Sequence, residues 1–185
     1  MIAVALYTGM RRGEIAGLRW EDVRFDLGRI DVRRSYSGPT KTNKPRVVPL
    51  HRELAPILQA WRARGESPTG LIFPIHIAGV WRAATECDEQ LADALRAVLT
   101  QAGCRADFLR PWHAFRHTFA TQFLEQGGSI SALERILGHT TSGNPITAGY
   151  THVDVPFLAR ELAKLSLTPP TLAKVIPIAA SRTSA

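Results

Sequence analysis

The 185 residues contain only two cysteines, Cys87 and Cys104. They form no CxxC pair and no disulfide framework, which points to a reducing cytosol. No apolar stretch is long enough to span a bilayer. The apolar opening Ile2-Ala3-Val4-Ala5-Leu6 lacks a basic segment before it and a cleavage site after it, so it is not read as a signal peptide. No internal repeat is found. Acidic residues are scarce, with 16 Asp and Glu against 23 Lys and Arg, a net charge of +7 and a pI near 10.1. That imbalance favours a polyanionic partner, nucleic acid first. Clustering sharpens the point: seven basic residues (Arg29, Arg33, Arg34, Lys41, Lys44, Arg46, Arg52) and one acid, Asp31, lie between positions 29 and 52. The length suits one domain with a full core.

Along the chain, the pattern predicts a mainly α fold with a small three-stranded antiparallel sheet near the N-terminus, an α+β class. The opening run reads as a helix stopped at Thr8-Gly9, and 12–18 as a short helix weakened at Gly17. Alternation around Asp26-Leu27-Gly28 predicts a hairpin over 23–33, and 46–50 a further strand ended by its proline. Residues 37–45 read as a basic loop. The loop lacks the glycine that a P-loop requires before Lys41, which excludes an NTPase site. Helices are expected over 51–64, with Leu54, Ile57, Leu58 and Trp61 inward, and over 81–102, with Leu91, Leu95, Val98 and Leu99 inward. A Phe-rich helix is expected over 112–126, carrying Phe115, Phe119 and Phe123 at a spacing of four. Ser129 and Gly138 read as the N-cap and C-cap of a helix over 130–137. One more amphipathic helix is expected over 156–165, followed by a flexible tail from 166 to 185.

The residues with chemistry are few. His113 and Arg116 are three apart on the Phe-rich helix, so a proton exchanger sits beside a bidentate phosphate binder. Breaking a phosphodiester without a metal takes an aligned nucleophile, charge on the non-bridging oxygens and an acid for the leaving oxygen. Tyr150 suits the first need, Arg11 and Arg116 the second and Lys41 the third. His113 suits the tyrosine proton, and His139 a hydrogen bond to the transition state. Taken singly, each has a plainer reading: Arg11 as a surface partner of Glu14, Lys41 as a solvated lysine, His139 as a helix-end cation, Tyr150 as a half-buried tyrosine.

The segment Thr8-Gly9-Met10-Arg11-Arg12-Gly13-Glu14 with Leu18-Arg19-Trp20-Glu21-Asp22 resembles the first-arginine box of the tyrosine recombinases, the phage integrase family. Thr40-Lys41-Thr42 with Arg46-Val47-Val48-Pro49-Leu50 resembles its β-hairpin lysine segment. His113-Ala114-Phe115-Arg116-His117 resembles its central box, and Leu137-Gly138-His139 and Tyr150-Thr151-His152 its last two. The resemblance spans residues 7–153. It implies a recombinase catalytic domain over 1–165 that cleaves and rejoins double-stranded DNA through a 3′-phosphotyrosine, with neither metal nor ATP. It implies Arg11 and Arg116 as phosphate binders, Lys41 as general acid, His113 as acid/base, His139 as hydrogen-bond donor and Tyr150 as nucleophile. Glu14 takes the acidic position behind the first arginine, and His117 a structural one. Arg33, Arg34, Lys44 and Arg46 are assigned to DNA contact. Assembly is expected as a homo-tetramer on DNA through the helix over 156–165, from a free monomer in a bacterial or phage-derived, nucleoid-associated cytoplasmic setting.

Three departures from the family pattern stand out. The family's N-terminal DNA-gripping domain does not precede the boxes, so the chain is expected to be a fragment or a truncated relative that binds DNA poorly alone. The loop between His139 and Tyr150 is a couple of residues longer than is typical of the family. Residues 75–110 match no box. The rivals are a non-catalytic DNA-binding module, a type IB topoisomerase, and a zinc site on His113 and His117. The last lacks the helical glutamate of zinc proteases and has Arg116 between its histidines.

Overall fold

The computed structural model describes residues 1–39, 45–65, 68–77, 79–83, 89–103, 111–139 and 154–167. Helix α1 (Ile2–Thr8) ends where Gly9 turns left-handed at φ 59°, a conformation glycine adopts without penalty. The buried Thr8 hydroxyl donates to the Val4 carbonyl and accepts from the Met10 amide at 3.2 Å. Helix α2 (Arg12–Ala16) follows, and one tight turn (Trp20–Asp22) leads into the sheet. Strands β1 (Val23–Arg24) and β2 (Arg29–Val32) form the expected hairpin, with Val23 opposite Ile30. Strand β5 (Arg46–Pro49) pairs with the other edge of β2, placing Val32 opposite Arg46 and Arg29 opposite Pro49. The order is therefore β1-β2-β5, antiparallel throughout. Pro49, which cannot donate to a ladder, closes an edge strand.

Two short pairs were not legible in the pattern. One joins β3 (Arg34–Ser35) to β4 (Gly38–Pro39). The other joins β6 (Pro74–Ile77) to β7 (Val80–Ala83), and it corrects the helix expected over 81–102. That helix, α4, runs only Glu89–Gln101. Gly79 takes φ 81° at the turn, and the β-favouring Val80 and Trp81 follow it into the strand. Of the side chains expected to face inward from α4, Leu95 is buried and Val98 is 48% exposed. Helix α3 (Leu54–Arg62) divides in the same way: Leu54 and Leu58 are buried, whereas Ile57 and Trp61 are exposed. These outer residues line an apolar groove of about 770 Å³ with Ile2, Phe73, Leu95 and Val98. None of the expected site residues lines it.

The core centres on α5 (Pro111–Glu125), which packs against α1. Phe119 and Phe123 are fully buried and stack at 5.8 Å; Phe115 is only partly covered. Helix α6 (Ile130–Leu137) has the expected caps: Ser129 Oγ accepts from the Ala132 amide, and Gly138 is left-handed at φ 67°. Helix α7 (Val155–Leu162) is capped by Asp154. Its apolar residues Leu158 and Leu162, and Leu165 just beyond, lie in the chain's own core. That face of the helix is therefore taken up by the chain's own core. Ser166 exchanges hydrogen bonds with Gln126, and Leu167 packs on the core, so the folded body extends past the expected boundary at 165. Residues 168–185 lie outside those described. No helix among the described residues is long and apolar enough to cross a membrane.

Two joints hold this body together. His51 is 3% exposed. Its Nε2 lies 2.9 Å from the Leu165 carbonyl and its Nδ1 accepts from the Glu53 amide. A carbonyl only accepts, so the ring is the neutral Nε2–H tautomer. Tyr7 stacks on it at 4.9 Å and donates to Glu53 Oε2 at 2.6 Å. The second joint is α2 against β3. The Tyr36 amide donates to the Gly13 carbonyl at 2.9 Å, and a Cβ on Gly17 would lie 2.6 Å from the Ser35 carbonyl carbon. Gly17 has φ −86°, so its requirement is space rather than backbone freedom.

Gly17→Ala should therefore lose about 1–3 kcal/mol through overpacking alone; urea unfolding with an unchanged midpoint would rule out the close approach. Burial depresses the His51 pKa. The stability it contributes is full above the unfolded value of 6.5 and is lost as pH falls through the lower folded value. The melting temperature should fall across that window, and His51→Gln should flatten the fall; parallel pH profiles would refute it.

Candidate active site

The turn between α1 and α2 carries Arg11. Its amide donates to Glu14 Oε2 at 2.8 Å and its Nη1 to Oε1 at 3.2 Å. The Glu14 side chain is 2% exposed. The same carboxylate takes a second guanidinium in a fork: Arg46 Nη1 to Oε1 at 2.8 Å and Nη2 to Oε2 at 2.7 Å. Burial works to raise the Glu14 pKa, but the hydrogen bonds and charge of Arg46 and Arg11 outweigh it and hold the carboxyl below its usual value. Glu14 is thus a fixed anion.

Arg116 comes from the second turn of α5 and is 7% exposed. Its Nη1 donates to the Gly9 carbonyl at 2.7 Å, and its Nη2 to the Leu137 carbonyl at 2.9 Å and to His139 Nε2 at 3.0 Å. These three partners are neutral. A guanidinium only donates, so His139 Nε2 accepts and its proton sits on Nδ1. Desolvation first, then the charges of Arg11 and Arg46, bring the Arg116 pKa down to about 10. His139 is lowered as well, by desolvation and then by Arg116 and Arg11. Three guanidiniums therefore converge with one buried carboxylate among them. Positive charge left without an anion in a low dielectric is a receptor for one.

The glycines explain how the backbones come close enough. A Cβ on Gly9 would collide with the Phe119 ring and Leu137, and one on Gly138 would lie 2.9 Å from Arg46 Cδ. Both have positive φ. Arg116 thereby reaches the carbonyl of one glycine turn and the imidazole beyond the other.

Of the expected site residues, the structure brings Arg11, Glu14, Arg116 and His139 together. His113 is exposed on the first turn of α5, its ring 4.5 Å from that of His117 and edge-on to it. Lys41, Lys44 and Tyr150 lie outside the described residues. Among the described residues no three His, Cys, Asp or Glu side chains cluster as metal ligands. The expected DNA contacts look different in place. Arg33 pairs with Asp31, and Arg34 with Glu21 and Asp22. The Arg46 side chain is 8% exposed and bound to Glu14, so its assignment as a DNA contact gives way to an internal one. The sequence carried one unused signal for this: a carboxylate that must be buried behind Arg11 needs more than one cation.

The phage integrase family model matches residues 1–155. A tyrosine recombinase XerC-like protein of Caldanaerobacter subterraneus is 28% identical across 83% of this chain and 45% of its own length. The integrase of mycobacterium phage Brujita superposes with a TM-score of 0.63 at 23% identity, covering 89% of this chain and 50% of that one. The Tn1549 transposon integrase, in complex with a circular intermediate DNA, does so with a TM-score of 0.61 at 21% identity, covering 89% and 52%. The chain spans about half the length of the curated relatives it matches.

His139 should titrate below 6.5 by NMR, and inorganic sulfate should raise its pKa by adding negative charge beside it. A His139 titration insensitive to sulfate would show that the cluster is no anion site.

Proposed function

The chain belongs to the phage integrase family, and from that premise we propose that it carries the catalytic machinery of a DNA strand transferase. The observation that supports this reading best is Arg116, a buried guanidinium held by neutral acceptors beside Arg11 and His139. A phosphodiester supplies the missing anion, and its two non-bridging oxygens suit two guanidiniums.

In this proposal the Tyr150 hydroxyl oxygen attacks the scissile phosphorus and its proton passes to His113. The bond to the 5′ oxygen breaks, and Lys41 protonates that oxygen. The product is a 3′-phosphotyrosine and a free 5′ hydroxyl, and attack by a 5′ hydroxyl reverses the step. Arg11 and Arg116 hold the charge that builds on the non-bridging oxygens. His139 adds a donor, and the proton it has to give is on Nδ1 while Arg116 occupies Nε2. The phosphotyrosine conserves the bond energy, so neither ATP nor metal enters the balance. Double-stranded DNA is the partner, with Arg33, Arg34 and Lys44 near its backbone and four copies assembling on it in the cytoplasm. That assembly needs surfaces other than the apolar face of α7.

A nicked duplex whose short 5′-hydroxyl fragment diffuses away on cleavage traps the covalent intermediate. The wild-type chain should accumulate a DNA adduct, and Tyr150→Phe should form none while still shifting DNA in a gel. Arg116→Lys should lose roughly 10²-fold or more in cleavage, because a point charge cannot replace the fork. A wild type that shifts DNA without forming an adduct would leave only the DNA-binding module.

A further inference from the structure

Arg46 has more partners than a DNA-contacting arginine needs. Its fork is closed on Glu14 at 2.8 and 2.7 Å, and its Nε donates to the Ile136 carbonyl at 2.7 Å. Ile136 is in the last turn of α6, whose next carbonyl, Leu137, accepts from Arg116. Adjacent carbonyls at one helix C-terminus thus hold two arginines that reach it from different elements, β5 and α5. The negative end of the helix favours both. The stem of Arg46 also fills the space under Gly138, where a Cβ would lie 2.9 Å from Cδ, and His139 follows directly.

We infer that Arg46 is a positioning residue that sets the distance between the Arg11–Glu14 turn and the α6 end carrying His139. It does so with one rigid plane. Three of its N–H groups point at three acceptor atoms on two residues from different parts of the chain, 14 and 136. Moving either part breaks a charge-assisted bond in the interior. Arg46 is also the first residue of β5, opposite Val32 on β2, so the strand that leads out of the Lys41 segment is anchored at the same point. Lysine keeps the charge but cannot satisfy Glu14 Oε1, Glu14 Oε2 and the Ile136 carbonyl in that geometry.

The catalytic half of this inference rests on the strand-transfer reading; the geometric half does not, and one variant separates them. Arg46→Lys should lower adduct formation on the nicked duplex by roughly a hundredfold, the penalty of an ångström-scale misplacement, with DNA affinity little changed. It should also move the His139 titration measured by NMR toward 6.5, because the Arg116–His139 contact loosens. The groups acting on that imidazole are Arg116, Arg11, Glu134 and Arg46 itself, and all keep their charge in this variant. Where Arg46→Lys fails to fold, Arg46→Met with Glu14→Gln removes the stranded buried charge. Since losing the Arg46 charge by itself shifts the titration, this variant is read by the Arg116–His139 separation in its crystal structure, which should lengthen beyond 3.0 Å, and an unchanged separation overturns the inference. An unchanged His139 titration in folded Arg46→Lys overturns it too, whatever cleavage does. If the wild type forms no adduct, the strand-transfer reading falls and the titration still decides the role of Arg46.

Discussion

The buried Glu14 carboxylate is the constraint from which the rest of the site follows. An anion taken out of water needs full compensation, and removing one partner of such a pair costs about 3–5 kcal/mol. Glu14 has the Arg46 fork, the Arg11 guanidinium and the Arg11 amide. A buried ion pair is a weak source of net stability, since apolar residues of the same volume do as well or better. What it supplies is direction. The fork has one good orientation, so Arg46 fixes where β5 stands relative to α2, and the Arg11 amide fixes where the turn begins.

Arg116 applies the same logic with the opposite sign. It is buried with carbonyls and an imidazole rather than a carboxylate. Carbonyl dipoles orient a guanidinium without neutralising it. Had the fold placed a carboxylate against Arg116, the pair would be closed and no phosphate would gain by entering. The only buried acid near the cluster, among the described residues, is saturated by Arg46 and Arg11. The charge of the cluster therefore stays positive; burial first, and the neighbouring guanidiniums second, depress the basicity of Arg116 and His139. On the strand-transfer proposal, such a cluster suits the charge that builds on a phosphate in the transition state.

Local patterns were legible in the sequence where one residue type had one physical use. The glycine stops at 9 and 138, the Ser129 cap, the Phe119–Phe123 face and the β1-β2-β5 sheet are all readable from spacing and backbone preference. The misses arose where one residue had two uses. Val98, Ile57 and Trp61 fit an inward stripe, yet helices of this width carry two apolar stripes here, one on the core and one on the groove. Trp81 begins no helix because Gly79 turns the chain back on itself. The basic run over 29–52 suggested an open positive face. In the fold, Arg29 and Arg33 meet Asp31 within the run, while Arg34 and Arg46 meet Glu21 and Glu14 from other elements. Linear charge clustering cannot see partners that arrive from another element.

The same distinction separates Arg46 from Arg116, which composition treats as equals. Both are arginines, both are buried, and both bind the end of α6. Arg46 has its charge matched by Glu14, and its geometry is used up in holding two elements together. Arg116 has its geometry fixed by the backbone and its charge unmatched. On the strand-transfer proposal, the arginine lacking a carboxylate is the one available to a phosphate, and the arginine paired with a carboxylate sets the frame around it.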